Sequence, residues 1–455
     1  MIPTRQNNWQ LPSRLPWGVF LVWLVSSVKL CTSVRADQSA AETVKVVNES
    51  VDSSSNVCYN FGCPFIPRDV FYDEDAKTAL HRLKEPIRKV HDEDEGKRST
   101  TLFLSQLDTS GDRHRSTMTL CGYKGGQITS QINQDRSILV SPFLGEFQFL
   151  GVLDGHGTGG ELVAEHARTE IPKQLAAKLE ELLQQQNNSN ENKNNNLMNL
   201  DDPTVIASML KEVFLSVDQS APSPKSGGCT ASVALQLGSK LFVANAGDSV
   251  TLVAAHRGWN ETSQIVYMSR EDKPHLADEQ MRIEQAGGTV RMPESFDDGD
   301  TSRVIYKDPA SGHDVGLAMS RSIGDWDAPG VIAEPIVDIL DLSSLADSVM
   351  GGMDEYGCTD KECGPPMVNL FVVSATDGLM DFVTPQEIVD KVGVTFYGQP
   401  NLQDRKSGVG AGHAHLAAEE LIYSAARGWH EEMQGSYRDD ITISTTKIFP
   451  WESSS

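Results

Sequence analysis

Three aspartates, Asp154, Asp377 and Asp439, each stand where an apolar strand-like run meets a turn, in FQFLGVLDGHG, NLFVVSATDGLMD and SYRDDITIST. Carboxylates far apart in sequence but delivered from strand ends line a cage with oxygen for hard divalent cations, so these residues point to metal-assisted chemistry. A single Asp-Gly is an ordinary turn former. Three such sites with further acids beside them, Asp381 and Asp440, go beyond turn chemistry. The first stretch also fits G-x-G-x-x-G at Gly155, Gly157 and Gly160. A dinucleotide reading fails on context: Asp154 would face the pyrophosphate, and the acid expected about 20 residues on falls in a helix and then an Asn-rich loop.

The elements that must position these residues are legible in part. VALQLGSKLFVANAG reads as a hairpin, two strands flanking Gly238-Ser239 in the slot that favours a II′ turn. GELVAEHARTEIPKQLAAKLEELL and HAHLAAEELIYSAARGW carry the helical apolar period. Thr384-Pro385-Gln386-Glu387 supplies the cap, the N1 proline and the capping-box glutamate of another helix. His413 and His415, at the start of the second long helix, read as surface residues. QQQNNSNENKNNN is too polar to join a core, so 184–200 is expected to be a disordered insertion. Hairpins with helices between them favour antiparallel sheets covered by helices, an α+β layout. One catalytic domain over 119–450 is expected, behind an N-terminal extension at 37–118 and ahead of a short tail at 451–455.

The chain has 455 residues and a formal net charge of −24, which argues against a nucleic-acid partner, since that needs basic stripes. Arg5 and Arg14 precede an apolar run from Trp17 to Val25, and Val34-Arg35-Ala36 offers a small-residue cleavage site. A signal peptide at 1–36 and a luminal or secreted product are expected, with an uncleaved anchor as the alternative. No other segment is apolar and long enough to span a bilayer. Outside the signal, Cys58/Cys63 and Cys358/Cys363 form close pairs suited to small disulfide loops, with a zinc site as the weaker alternative. Cys121 and Cys229 read as core thiols. Sequons begin at Asn48, Asn187 and Asn260.

Ordered blocks run through the chain: NQD at 133–135, VLDGHG at 152–157, SGGCTA at 226–231, ANAGDS at 244–249 and DKP at 272–274. They continue with EQAGG at 284–288, LAMSRSIGD at 317–325, ATDGLMD at 375–381 and RDDIT at 438–442. Together they resemble the metal-dependent protein Ser/Thr phosphatases of type 2C. The resemblance implies a four-layer α/β/β/α sandwich of two antiparallel sheets with helices outside. It also implies two Mg²⁺ or Mn²⁺ ions in a cleft at one edge, phosphoserine and phosphothreonine proteins as substrates, and attack by a water activated by the metal pair. By similarity Asp154 bridges the ions, Gly155 gives its carbonyl oxygen, and Asp377 and Asp439 complete the first site. Asp248 and Asp381, with Asp377, match a third, weaker site. His156 would protonate the departing oxygen, a task suited to imidazole, although a His after Asp-Gly is also a common turn residue.

Two departures stand out. Gln134 occupies the place of a ligand Glu of many members, and Ser130 the place of a phosphate-binding Arg. Asp135 remains as a carboxylate behind the ligands or holding water, and Arg136 or Arg303 becomes a candidate for the lost phosphate clamp. Arg321 and Asp325 read as a buried ion pair fixing a loop. The segment 330–366 is expected to be a flap beside the cleft. The protein is expected to be a monomer, and the alternative to an active phosphatase is a weak or inactive member that binds phosphoproteins.

Overall fold

In the computed structural model the described residues are 114–122, 133–145, 147–189, 202–222, 227–256, 262–296, 301–308, 312–350, 368–397, 414–434 and 436–448. All fall within one compact unit, Asp52–Ser455. The expected signal peptide, nearly all of the extension, Ser130, both cysteine pairs, His413, and the sequons at Asn48 and Asn260 lie outside the described residues.

Two five-stranded antiparallel sheets form the centre. The first runs β14-β7-β6-β3-β2, built from β2 (Arg136–Phe143), β3 (Phe147–Leu153), β6 (Ala231–Leu237), β7 (Lys240–Ala246) and β14 (Ile336–Asp341). The second runs β1-β16-β15-β8-β9, built from β1 (Arg115–Leu120), β8 (Val250–His256), β9 (Gln264–Met268), β15 (Asn369–Ala375) and β16 (Ile441–Lys447). Both faces of each sheet are covered, so their strands read as apolar runs rather than as in–out alternation. Along β3, Leu150 points between the sheets to Val253 and Val372, whereas Phe149 and Leu153 point outward. That outer face packs on α1 (Gly160–Ser189) through Val163, Ile171, Leu175 and Leu179 and on α2 (Pro203–Ser220) through Leu210 and Phe214. On the opposite side Phe371 and Val373 meet α6 (Pro385–Tyr397) and α7 (Ala414–Met433) through Val392, Ile422 and Trp429. The expected α/β/β/α layering is what the chain adopts.

Smaller elements complete it: β4 (Gly155–Gly157), β5 (Gly227–Cys229) and β13 (Ile323–Gly324) form one short sheet, and β10 (Thr289–Arg291), β11 (Arg303–Lys307) and β12 (Asp314–Leu317) another. The latter packs with α3 (Ala277–Gln285) on its own cluster of Ile283, Val304, Leu317, Met319 and Ala328. Helices α4 (Leu342–Met350) and α5 (Asp377–Met380) are short. Every strand pairing is antiparallel, and the only parallel bridge among the described residues is the isolated Arg321–Ile332 contact. A doubly wound dinucleotide fold is thereby excluded.

Leu237 pairs with Lys240 across a two-residue turn in which Gly238 has φ 56° and Ser239 does not have positive φ, as a II′ turn requires. Thr384 and Glu387 exchange capping-box hydrogen bonds: the Thr384 N–H donates to Glu387 Oε2 at 2.9 Å and the Glu387 N–H to Thr384 Oγ1 at 3.3 Å. Cys121 and Cys229 are both buried, as read for core thiols, and burial first of all pushes the Cys229 thiol well up. Half-buried His415 sits in the first turn of α7.

Three boundaries move. β1 begins at Arg115, ahead of the expected domain start at 119. α1 continues to Ser189, into the stretch read as disordered from 184, because Leu179 and Leu182 anchor its last turns to the core and straight-chain Gln residues lose little freedom in a helix. Residues 336–350, read as part of a flap, are instead the edge strand β14 paired with β7 and then α4, whose Leu342 and Val349 enter the core between the sheets. Among the described residues no helix is long and apolar enough to cross a membrane.

Candidate active site

Register gathers the acids. Arg136 opposes Leu153, so the start of β2 and the end of β3 share one edge and bring Gln134 and Asp135 beside Asp154. Ala375 opposes both Ile443 and Val250, which places Asp377, Asp439 and Asp248 at the matching edge of the other sheet. The acid cluster is therefore built from both sheets.

Each carboxylate is held by its own partners. Asp440 accepts the Gly122 N–H at 2.6 Å and the Gln134 N–H at 2.9 Å, tying the NQD segment to β16. Asp439 accepts the Tyr437 hydroxyl at 2.9 Å and the Asp440 N–H at 2.8 Å. Thr376 Oγ1 donates to Asp135 Oδ2 at 2.9 Å. The Asp154 N–H reaches Thr230 Oγ1 at 3.1 Å, and that hydroxyl lies 2.7 Å from Ser249 Oγ. Lys273 donates to Asp248 Oδ2 at 2.8 Å. Burial works against its charge, but Asp248 and Glu271 hold it protonated and its pKa is raised.

The remaining acids repel one another. Burial, then the charges of Asp377, Asp135 and Asp439, push Asp154 well above the usual carboxylate range. Burial and the charges of Asp248 and Asp439 push Asp377 up as well, and a hydrogen bond joins it to Asp154. Asp381 is raised to about 6, by burial first and then by Asp439 and Asp248 against the pull of Lys273. Oδ1 of Asp377 and Oδ1 of Asp248 are buried without a hydrogen-bond partner. Among the described residues no group of three His, Cys, Asp or Glu side chains is already drawn together as a metal cage; Asp154 and Asp377 close on each other instead. Buried oxygens with unmet acceptor capacity, crowded by like charge, form a donor set that suits Mg²⁺ or Mn²⁺.

His156 is held by a residue that sequence reasoning placed elsewhere. Its Nε2 lies 2.7 Å from Asp325 Oδ2, and Ser322 Oγ donates to the same oxygen at 2.5 Å. Asp325 is buried and has φ 52°, a left-handed conformation that Asp tolerates better than most side chains. A Cβ at Gly228 would lie 2.3 Å from that Oδ2, so the glycine of SGGCTA makes room for the carboxylate.

The expected Arg321–Asp325 pair does not form. Arg321 instead reaches Glu279 at 2.7 Å, a fully buried carboxylate that also accepts from Arg270 at 2.5 Å, Arg282 at 2.6 Å and Ser320 at 2.6 Å. Burial opposes that charge, yet the hydrogen bonds from Arg282, Arg321 and Ser320 hold Glu279 down at about 2. This hub fixes the start of the SRSIGD loop, and Asp325 is free to turn to the histidine.

Of the two candidate arginines, Arg136 is committed to partners within the fold. Arg136 is fully buried; its Nε donates to Glu165 at 2.6 Å and its Nη1 to the carbonyls of Asn133 and Asp135 at 2.8 and 2.7 Å. Burial opposes the Glu165 charge, but Arg168 and Arg136 outweigh it and lower its pKa. Arg303 lies on β11, donating to the Gly316 carbonyl at 3.1 Å. Arg136→Ala is therefore expected to cost roughly 3 kcal/mol or more of stability, the scale for removing one member of a buried pair, with KM for a phosphopeptide unchanged. Denaturant midpoints and KM values for the variant check this; an unaltered midpoint with a raised KM would return Arg136 to substrate binding.

Residues 145–350 match the family model described as Protein phosphatase 2C. The chain is 27% identical over 363 residues to "Probable protein phosphatase 2C 41" of Arabidopsis thaliana, covering 78% of this chain and 89% of that protein. It is likewise 27% identical over 370 residues to "Probable protein phosphatase 2C 48" of Oryza sativa subsp. japonica, covering 78% and 91%. Among solved structures, the serine-threonine phosphatase 2C of Toxoplasma gondii aligns with TM-score 0.48 and 16% identity, over 74% of this chain and 94% of that one.

Proposed function

We propose that this chain, which is protein phosphatase 2C-like, hydrolyses phosphoserine and phosphothreonine in proteins with two Mg²⁺ or Mn²⁺ ions held by the acid cluster. The observation that carries the reading is the convergence of Asp154, Asp377, Asp439 and Asp248 from both sheets on one edge, with buried carboxylate oxygens of Asp377 and Asp248 unmet by any donor. Bound there, divalent ions supply an activated water at neutral pH and neutralise charge growing on the phosphoryl oxygens. Asp154, Asp377 and Asp439 would hold them, with Gly155 O and Gln134 as neutral oxygens, while Asp248 and Asp381 serve a third position that they share with the Lys273 ammonium.

The chain's own groups divide the remaining work. A carboxylate accepts, so Asp325 fixes the Nε2–H tautomer of His156, and Nδ1 is then the nitrogen that serves the leaving oxygen. The Glu279 hub keeps Ser320 and Arg321 in place, and so sets where Asp325 stands. The amino-terminal targeting segment supports a luminal or secreted location.

Turnover of a phosphothreonine peptide in Mn²⁺ and in EDTA tests the proposal. Activity is expected with Mn²⁺ and loss of it in chelator, restored on adding metal back. Full activity in EDTA would refute the metal chemistry, and no turnover under any metal would favour a phosphoprotein-binding role, which the neutral Gln134 also fits.

A further inference from the structure

Gln134 uses its amide in a way that singles out a residue no motif contains. Nε2 donates to the Gly157 carbonyl at 2.9 Å and to Glu161 Oε2 at 2.9 Å. Both partners are acceptors, so flipping the amide would set its oxygen against two oxygens, and the orientation is fixed. Both amide hydrogens are thus used, and Oε1 is the atom left to face a cation. Meanwhile the backbone N–H of Gln134 is bound to Asp440 Oδ2 at 2.9 Å, so neither end of the residue is loose.

The geometry points to Glu161 as the carboxylate that serves the second metal position in this chain: it locks Gln134 with Oε1 presented to the cation and supplies the negative charge that the amide lacks. The inference rests on the metal reading above. Gln134 is neutral, whereas a pair of divalent cations calls for anionic donors. Glu161 brings a formal charge to within one hydrogen bond of that ligand, from the first turn of α1. Carboxylates that orient a ligand in this way commonly change metal affinity by about 10–100-fold when removed. The competing role for Glu161 is local, as an acid favoured near a helix N-terminus. That role would act on helix stability whether or not metal is bound.

Mn²⁺ uptake by the full chain, read from the electron paramagnetic resonance signal of free Mn²⁺ without phosphosubstrate, separates these roles. Glu161→Gln keeps the side-chain shape and removes only the charge; it is expected to weaken one Mn²⁺ by about 10-fold or more, with thermal melting in EDTA unchanged. The swap Gln134→Glu/Glu161→Gln returns the charge to the neighbouring position and is expected to recover affinity. Wild-type uptake with Glu161→Gln indistinguishable from it would overturn the inference alone, as would a swap that binds no better than the single variant. A melting loss in EDTA with unchanged Mn²⁺ affinity would assign Glu161 to the helix. Absence of Mn²⁺ uptake by the wild type would instead overturn the metal reading beneath it.

Discussion

Asp154→Asn is expected to lower kcat on phosphoserine and phosphothreonine peptides by roughly 100-fold or more, about 2.7 kcal/mol of barrier. Asp154 is pressed by Asp377, Asp135 and Asp439, and it closes on Asp377 by a hydrogen bond. Asparagine keeps the shape and removes the charge, so the affinity of the acid cluster for a divalent cation is expected to drop. Higher Mn²⁺ should then recover part of the rate. The variant should fold, because removing a repelled buried carboxylate relieves strain rather than adding it. Steady-state kinetics across a Mn²⁺ titration decide the matter, and a variant within a few fold of wild type at all concentrations would remove Asp154 from the chemistry.

The second large effect concerns the leaving group. His156→Asn is expected to cost about 10²–10⁴-fold in kcat on a phosphothreonine peptide, the range for a positioned general acid. An aryl phosphate, whose phenolate departs without needing a proton, should lose far less. Asp325→Asn should show the same pattern at smaller amplitude, since the imidazole keeps its neighbour and loses the carboxylate 2.7 Å away. Comparing both substrates for both variants is the check. Equal losses on the peptide and the aryl ester would mean that His156 shapes the cleft without giving up a proton.

What could be read in advance follows a physical divide. Aspartates at strand ends, the Gly238-Ser239 hairpin and the Thr384–Glu387 box are local signals, encoded within a few residues and independent of distant partners. The α+β layout was legible from the hairpin and the helical periods, whereas the four layers followed only from the resemblance carried by the ordered blocks. Charge pairing was not legible. Within SRSIGD, Arg321 and Asp325 looked like partners because they are neighbours in sequence, but Glu279 and His156 reach them from other elements. Arg136 looked available for phosphate, though it begins a strand packed under α1, where Glu165 waits. The faint signal for the His156–Asp325 contact was the glycine pair of SGGCTA, whose missing side chain at Gly228 admits the carboxylate. Glu161 carried no signal at all, since a helix-entry acid looks the same whether or not it reaches back to Gln134.

The order in which the chain is made has a consequence for when such a site can act. β16 lies between β1 and β15, and Arg115 pairs with Thr446. A nascent polypeptide that has emerged only through α5 holds Asp154, Asp248 and Asp377, but it lacks Asp439 and the strand that joins the first-made edge to the rest of the second sheet. Contacts so distant in sequence form late, after the loop entropy between them has been overcome. A chain that ends before Asp439 therefore leaves the acid cluster incomplete, and it is expected to hold no activity of its own.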